Sequence, residues 1–308
     1  MSIKSTIKTI IPNKLLCDYN LLKLNIKGKK SYKKIEQEIN KEYEKIFHRK
    51  LNWDNPQSWT EKVNVSKVYD VTTKKTDLTD KYKVRDFIKR EIGEEYLIPL
   101  LGVYDKFEDI DFNKLPDKFV IKCNHDSGST TLCEDKTKIN YKELKNKYDF
   151  FLKRNYSSQG HEMQYKNIKP KIIIEKYMGN SINDYKFLCF NGKPYFVWVD
   201  VDRFDNHKRN VYDLDWNLQP FEITFKNSEK EIKKPKDFQL MKEVATKLCK
   251  EFDHVRVDLY YIDNKIYFGE MTFTSDNGFE IITPNKYDFE LGKLWKNNIK
   301  KSDIKLEK

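Results

Sequence analysis

Apolar residues at 35, 39, 43 and 46 recur at three- and four-residue spacing through 31–48 and predict an amphipathic helix with a charged outer face, which could pack on the protein or lie on a membrane. Asn55-Pro56 interrupts the pattern, after which Trp59–Tyr69 and 79–92 read as two further helices, the second stopped at Gly93. From about Tyr96 the period changes. Short β-branched and aromatic runs bounded by Gly, Asn, Asp and Pro predict strands at 98–104, 118–123, 171–175, 185–190 and 195–200. Asn191-Gly192 joins the last two as a type I′ hairpin turn, and 238–252 forms one more amphipathic helix through Leu240, Val244, Leu248 and Phe252. The pattern is α+β behind a helical front section, without internal repeats or a low-complexity linker.

A later hairpin in this pattern carries chemistry. In Val255-Arg256-Val257-Asp258-Leu259-Tyr260-Tyr261-Ile262-Asp263-Asn264-Lys265-Ile266-Tyr267-Phe268-Gly269-Glu270-Met271-Thr272, two strands flank a tight polar turn and each bears a carboxylate. A three-residue loop over 263–265 sets Ile262 against Ile266 and places Asp258 opposite Glu270 on one face. A two-residue turn would send the two carboxylates to opposite faces. Like charges facing each other destabilise a sheet unless compensated, and a divalent cation with oxygen ligands is the usual compensation. A surface hairpin with unrelated charges is the plain alternative.

Two further stretches suit a nucleotide. Phe119-Val120-Ile121-Lys122 is an apolar strand ending in lysine that runs into the small, polar residues Cys123-Asn124-His125-Asp126-Ser127-Gly128-Ser129-Thr130-Thr131. Small residues let backbone N–H groups approach phosphate oxygens, and the lysine adds a point charge. The stretch has neither Walker A nor GxGxxG spacing, and His125 reads as a loop hydrogen-bonder ahead of a catalytic base. In Ile172-Ile173-Ile174-Glu175-Lys176-Tyr177-Met178-Gly179 a buried strand ends in a glutamate and exposed backbone that suit a purine edge, and Asp184 a turn later suits ribose hydroxyls.

Composition narrows the setting. At 308 residues and 38% hydrophobic content the chain can bury a sizeable core, and its longest apolar runs are strand-sized, far short of a bilayer span. The lysine-dotted start makes a poor secretory signal, so a cytoplasmic location is expected. Five cysteines without a CxxC pair and five histidines without ligand spacing fit reduced core thiols and no zinc site. Of the net charge of +11, +8 falls in the first fifty residues. Such a basic end meets nucleic acid, anionic lipid or a phosphorylated substrate, or is solvated surface; without an aromatic-basic recognition module, nucleic acid is not expected.

Taken in order, the lysine strand with its small-residue loop, Ile-Ile-Ile-Glu-Lys-Tyr-Met, Asp184-Tyr185-Lys186 and the Arg-x-Asp…Glu-x-Thr hairpin resemble the ATP-grasp superfamily. The resemblance is closest to the TupA-like branch, associated with teichuronopeptide and bacterial surface-polysaccharide assembly. It extends forward over Asn55-Pro56…Glu61-Lys62, Asp80-Lys81-Tyr82-Lys83-Val84-Arg85, Ile92-Gly93-Glu94-Glu95-Tyr96-Leu97-Ile98-Pro99 and Leu115-Pro116-Asp117-Lys118, covering about 51–296. It implies an ATP-grasp fold, two α+β lobes clasping ATP. The expected parts are a basic helical extension (1–50), a helical pre-grasp section (51–117), a small lobe (118–180), a large lobe (181–300) and a basic tail (301–308).

By that resemblance Lys122 touches the ATP phosphates and the adenine side, and the loop of Asp126, Ser127, Gly128, Ser129 and Thr130 closes over the phosphates as a lid. Glu175 accepts the adenine amino group, Lys176, Tyr177 and Met178 complete the hinge, and Asp184 holds the ribose. Asp258 and Glu270 bind Mg²⁺; Thr272 stands where many members have an Asn ligand, with Asn277 as its substitute. Arg256, with Lys122 and Lys186, neutralises the transferring phosphoryl group. Such a site lets a carboxylate attack the γ-phosphorus, releasing ADP and giving an acyl phosphate from which an amine then displaces phosphate. Arg203, Lys186, Arg209 and Asn277 are candidate substrate residues, with plain surface charge as the alternative for the cationic three. The expectation is an ATP- and Mg²⁺-dependent carboxylate–amine ligase acting on a surface-polysaccharide precursor, peripheral to the inner membrane face. Competing readings are a glycosyltransferase using Asp200-Val201-Asp202 as a DxD motif, and an ATP-grasp sugar kinase.

Overall fold

The computed structural model describes residues 30–179, 183–201 and 207–296. Its elements run α1 (Tyr32–Phe47), α2 (Trp59–Tyr69), α3 (Thr73–Thr79), α4 (Val84–Glu91), β1 (Leu100–Tyr104), β2 (Phe119–Cys123), β3 (Thr131–Cys133), α5 (Tyr141–Lys153), α6 (Ser157–Gly160) and β4 (Ile172–Lys176). There follow β5 (Asp184–Phe190), β6 (Lys193–Val201), β7 (Lys208–Asp213), β8 (Glu222–Ile223), α7 (Phe238–Cys249), β9 (His254–Ile262), β10 (Lys265–Thr272), β11 (Ile282–Thr283) and α8 (Lys286–Leu294). The chain forms two compact units, and the boundaries fall between Ile35 and Glu36, between Ile98 and Pro99 and between Tyr177 and Met178.

The first unit, built on 99–177, is an antiparallel sheet in the order β1-β4-β2-β3. Alternation along β2 turns Phe119, Ile121 and Cys123 toward α5, where they pack with Leu144 and Tyr148, and leaves Val120 and Lys122 on the other face.

The second unit holds 36–98 and the described residues from Met178 onward. Its sheet is antiparallel in the order β10-β9-β5-β6-β7. Tyr185, Phe187 and Cys189 of β5, Val197 and Val199 of β6, and Val255, Val257 and Leu259 of β9 share one face. They pack against Phe238, Met241, Val244, Ala245 and Leu248 of α7. Each of the Val, Leu, Phe and Met side chains, fully buried, contributes roughly 1.5–3 kcal/mol before entropy is counted. Alternation therefore commits Asp184 and Lys186, Trp198 and Asp200, and Arg256 and Asp258 to the opposite face.

Helix α2 is buried on every side, so its polar residues must be paired. Ser58 and Glu61 form a capping box at its start, Lys62 donates to the carbonyls of Gly292 and Trp295 at the end of α8, and Lys67 donates to Asn277. The apolar face of α1 is also used internally: Ile35, Ile39 and Tyr43 are buried and Tyr43 hydrogen-bonds Thr60 at 2.9 Å. That packing removes the option of α1 laying its apolar face on a membrane. No helix among the described residues is long and apolar enough to cross one.

The helix expected over 79–92 starts later, as α4 at Val84, and a separate helix that was not expected, α3, ends at Thr79. Asp80 separates the two, because its Oδ1 accepts the N–H groups of Tyr82 at 2.8 Å and Lys83 at 3.3 Å and diverts them from the helical ladder.

Candidate active site

The 255–272 hairpin does place Asp258 opposite Glu270, by a different route from the three-residue loop. The loop has two residues, Asp263 and Asn264, both at positive φ (50° and 60°), and Ile262 pairs with Lys265. That register alone would put Glu270 on the far face. A bulge between Phe268 and Glu270 inserts Gly269 and shifts the pairing by one, bringing Glu270 back opposite Asp258. A Cβ at Gly269 would lie 3.1 Å from the Asp258 carbonyl oxygen and from the Tyr260 ring.

The face around this pair is a charge lattice. Lys186 lies opposite Asp258 across β5 and β9, and its ammonium contacts Asp184, Asp258 at 3.1 Å and Asp200 at 3.9 Å. Arg256 holds Asp258 with two parallel bonds of 2.7 Å and also donates to Ser275 at 2.7 Å and Thr272 at 3.0 Å. Thr272 in turn donates to Glu270 Oε1 at 2.7 Å, and Lys81 Nζ lies 3.6 Å from Glu270 Oε2. Burial pushes the Glu270 carboxyl upward, but Lys81, Arg256, the Thr272 hydroxyl and Lys186 together outweigh it and hold its pKa down to about 2. Burial disfavours the charged form of Arg256, and the Asp258 and Glu270 carboxylates reverse that and raise its pKa.

The lattice continues sideways. Ser275 donates to Glu280 at 2.7 Å, Glu280 contacts Arg209 at 3.5 Å, and Arg209 grips Asp200 at 2.6 and 3.2 Å. Trp198 lies under both guanidiniums, 4.7 Å from Arg209 and 5.4 Å from Arg256. Burial of Asp200 is outweighed by Arg209, Lys186 and His207, which lower its pKa to about 2. Asp200 is thus engaged by a bidentate arginine, which speaks against a DxD metal site. Asp202 and Arg203 lie outside the described residues. Arg209 is buried in structural contacts and not displayed as a substrate clamp, and the Asn277 side-chain oxygen accepts from buried Lys67 at 3.1 Å. Asp184 is buried with its carboxylate against Lys186.

Asp258 and Glu270 offer hard carboxylate oxygens, adjacent on one face and compensated by ammonium and guanidinium groups. Among the described residues no cluster of three or more His, Cys, Asp or Glu side chains is arranged to hold a metal. Two carboxylates suit Mg²⁺, which commonly takes one or two from the protein and the rest of its shell from phosphate and water.

In the first unit, Lys122 and Glu175 meet at 2.6 Å on the sheet face turned away from α5. The Lys176 N–H donates to the Pro99 carbonyl at 2.9 Å and the Tyr177 hydroxyl to Glu134 at 3.0 Å, while Met178 begins the second unit. The loop after β2 is pinned at its base. Ser129 Oγ accepts the Cys123 N–H at 2.8 Å and donates to Asp126 at 2.6 Å, Asp126 pairs with Arg154 at 2.9 Å, and His125 Nε2 reaches the Phe151 and Arg154 carbonyls at 3.1 and 3.2 Å. Burial lowers the His125 pKa, in keeping with a neutral ring that hydrogen-bonds the end of α5. Asp126 and Ser129 are therefore turned inward, and Ser127, Gly128 (φ 96°) and Thr130 form the exposed tip.

Sequence reasoning did not single out Lys81, Trp198, Ser275 or Glu280. Lys81 had a signal in its position within Asp80-Lys81-Tyr82-Lys83-Val84-Arg85; Trp198 looked like one more core aromatic in an apolar strand.

A scan against protein families matches the TupA-like ATP-grasp family over residues 61–296, and the chain belongs to that family. ATP with Mg²⁺ is the cofactor pair that membership brings. No curated protein matches. Among solved structures the chain is similar to D-alanine–D-alanine ligase from Bacillus anthracis (18% identity, 64% of this chain and 57% of that one, TM-score 0.38) and to L-amino acid ligase from Bacillus licheniformis (13%, 80% and 58%, TM-score 0.46). It therefore spans a little over half the length of these structures.

Proposed function

We propose that the protein is an ATP- and Mg²⁺-dependent carboxylate–amine ligase that builds an amide on a bacterial surface-polysaccharide precursor. The observation that carries the reading is the Asp258–Glu270 pair, brought onto one face by a bulge in a chain of the ATP-grasp family.

In this reading Asp258 and Glu270 hold Mg²⁺, with Thr272 orienting Glu270 through its hydroxyl. Mg²⁺ held there would supply charge neutralisation for the phosphates, and an acceptor carboxylate would attack the γ-phosphorus with ADP as the leaving group. Arg256, fixed by Asp258, Ser275 and Thr272, supplies a guanidinium that need not reorganise as charge moves, and Asp184 holds the Lys186 ammonium in place beside it. Lys122 and Glu175 serve the adenine and phosphate side, with the backbone of 176–178 next to the adenine. The Ser127-Gly128 tip excludes water from the acyl phosphate while the Asp126–Arg154 base stays fixed.

The acceptor is an acidic sugar or a lipid-linked glycan, approached by the basic residues 1–50 at the inner membrane face. The protein incubated with ATP, Mg²⁺ and panels of uronic acids and amino acids should release ADP and phosphate together with an amide, and ¹⁸O from a labelled acceptor carboxylate should appear in the phosphate. ADP without phosphate would make it a kinase, and stabilisation by a nucleotide sugar alone would make it a glycosyltransferase.

A further inference from the structure

Assigning Asp258 and Glu270 to a metal leaves the ammonium beside Glu270 unexplained. Resting on that assignment, we propose that Lys81 is the exchangeable counter-ion of the metal site: its ammonium compensates Glu270 in the metal-free protein and yields that carboxylate to a divalent cation.

Among the described residues three cations border the carboxylate pair, and they differ in distance and exposure. Arg256 is tied to Asp258 by two bonds and to Ser275 and Thr272 by one each. Lys186 is buried and shared by Asp184 and Asp258. Lys81 is the most distant, at 3.6 Å, and the most exposed, its side chain at 16% against 12% for Arg256 and 7% for Lys186. A lysine head is a point charge on a flexible stem, so giving up one carboxylate costs it no fixed fork geometry.

The backbone that presents this stem is rigid. Buried Asp80 accepts the N–H groups of Tyr82 and Lys83, its carbonyl accepts the N–H of Val84, and Leu78, Val84 and Ile88 anchor both sides of the corner in the core. Lys81 is thus delivered to Glu270 by construction. Thr272 donates to Oε1 and the ammonium lies on the Oε2 side, so the ammonium and an incoming cation draw on the same carboxylate charge.

Competition makes a prediction that mere support does not. Removing the Lys81 charge should strengthen binding of a metal ion alone, whereas removing a structural brace should weaken it. The test is titration of nucleotide-free protein with Mn²⁺ alone, followed by electron paramagnetic resonance, on wild type, Lys81→Met, Lys81→Gln and Lys81→Arg. The Met and Gln variants should bind Mn²⁺ about tenfold more tightly and Lys81→Arg should stay within about threefold of wild type. Unchanged or weaker binding in both neutral variants, with wild type still binding Mn²⁺ in a Glu270-dependent way, would overturn the counter-ion role and leave the metal assignment standing. Mn²⁺ binding indifferent to Glu270→Gln would overturn the metal assignment and the proposal together.

Discussion

Asp258 and Glu270 face each other across β9 and β10 because Gly269 bulges between Phe268 and Glu270 and corrects the register set by a two-residue turn. The close approach of the Asp258 carbonyl and the Tyr260 ring to Gly269 makes that bulge sensitive to any added side chain. Gly269→Ala should lower stability by about 1–3 kcal/mol, read as a fall in the urea midpoint at unchanged slope. An unchanged midpoint would mean that β10 absorbs the extra methyl.

Thr272 touches both sides of the charge lattice, donating to Glu270 and accepting from Arg256. Thr272→Val keeps the shape and removes both bonds. The Mg²⁺ concentration giving half-maximal stabilisation by ATP should rise about tenfold, the usual cost of losing a group that orients a metal ligand, with Thr272→Ser close to wild type. An equal effect of both variants would point to packing of the methyl group instead.

The loop after β2 separates into base and tip. Asp126→Ala leaves Arg154 buried without its carboxylate and should cost about 3 kcal/mol, while Ser127→Ala at the exposed tip should stay within about 0.5 kcal/mol. Equilibrium unfolding of the two variants checks both values.

His254 gives the fold a distinct acid limb. Its Nδ1–H donates to the Cys189 carbonyl at 3.1 Å and its Nε2 accepts from the Trp59 indole at 3.2 Å, so the ring is held neutral. Burial dominates and lowers its pKa to about 3. The unfolded chain takes up this proton near pH 6.5 and the folded chain near pH 3, so stability falls as pH drops through that window, by up to ~1.4 kcal/mol per unit. His254→Gln should flatten the decline between pH 6.5 and 4, and an unaltered slope would assign it to other groups.

Much of this was legible along the chain. The predicted Trp59–Tyr69 helix matches α2, the Asn191-Gly192 turn joins β5 to β6 as expected, the strand expected at 118–123 starts one residue later, and the one expected at 171–175 shifts by one. These elements are long or carry a strong turn signal. Two- and three-residue strands such as β3, β8 and β11 have no period to detect. The split of α3 from α4 depends on the Asp80 carboxylate turning back to its own backbone. An isolated glycine inside a strand is a bulge signal, and Gly269 displayed it; pairing depends on the partner strand, which spacing along one strand does not reveal. The inward turn of Asp126 and Ser129 depends on Arg154, distant in sequence.

The central claim is that Glu270 belongs to a Mg²⁺ site that serves ATP. It is tested most directly by thermal stabilisation with ATP, with and without Mg²⁺, on wild type and Glu270→Gln. Wild type should show a Mg²⁺-dependent rise in Tm that largely disappears in Glu270→Gln, while the variant without ligand unfolds as one cooperative transition. Equal Mg²⁺-dependent stabilisation of both proteins would contradict the claim and move the metal away from this hairpin.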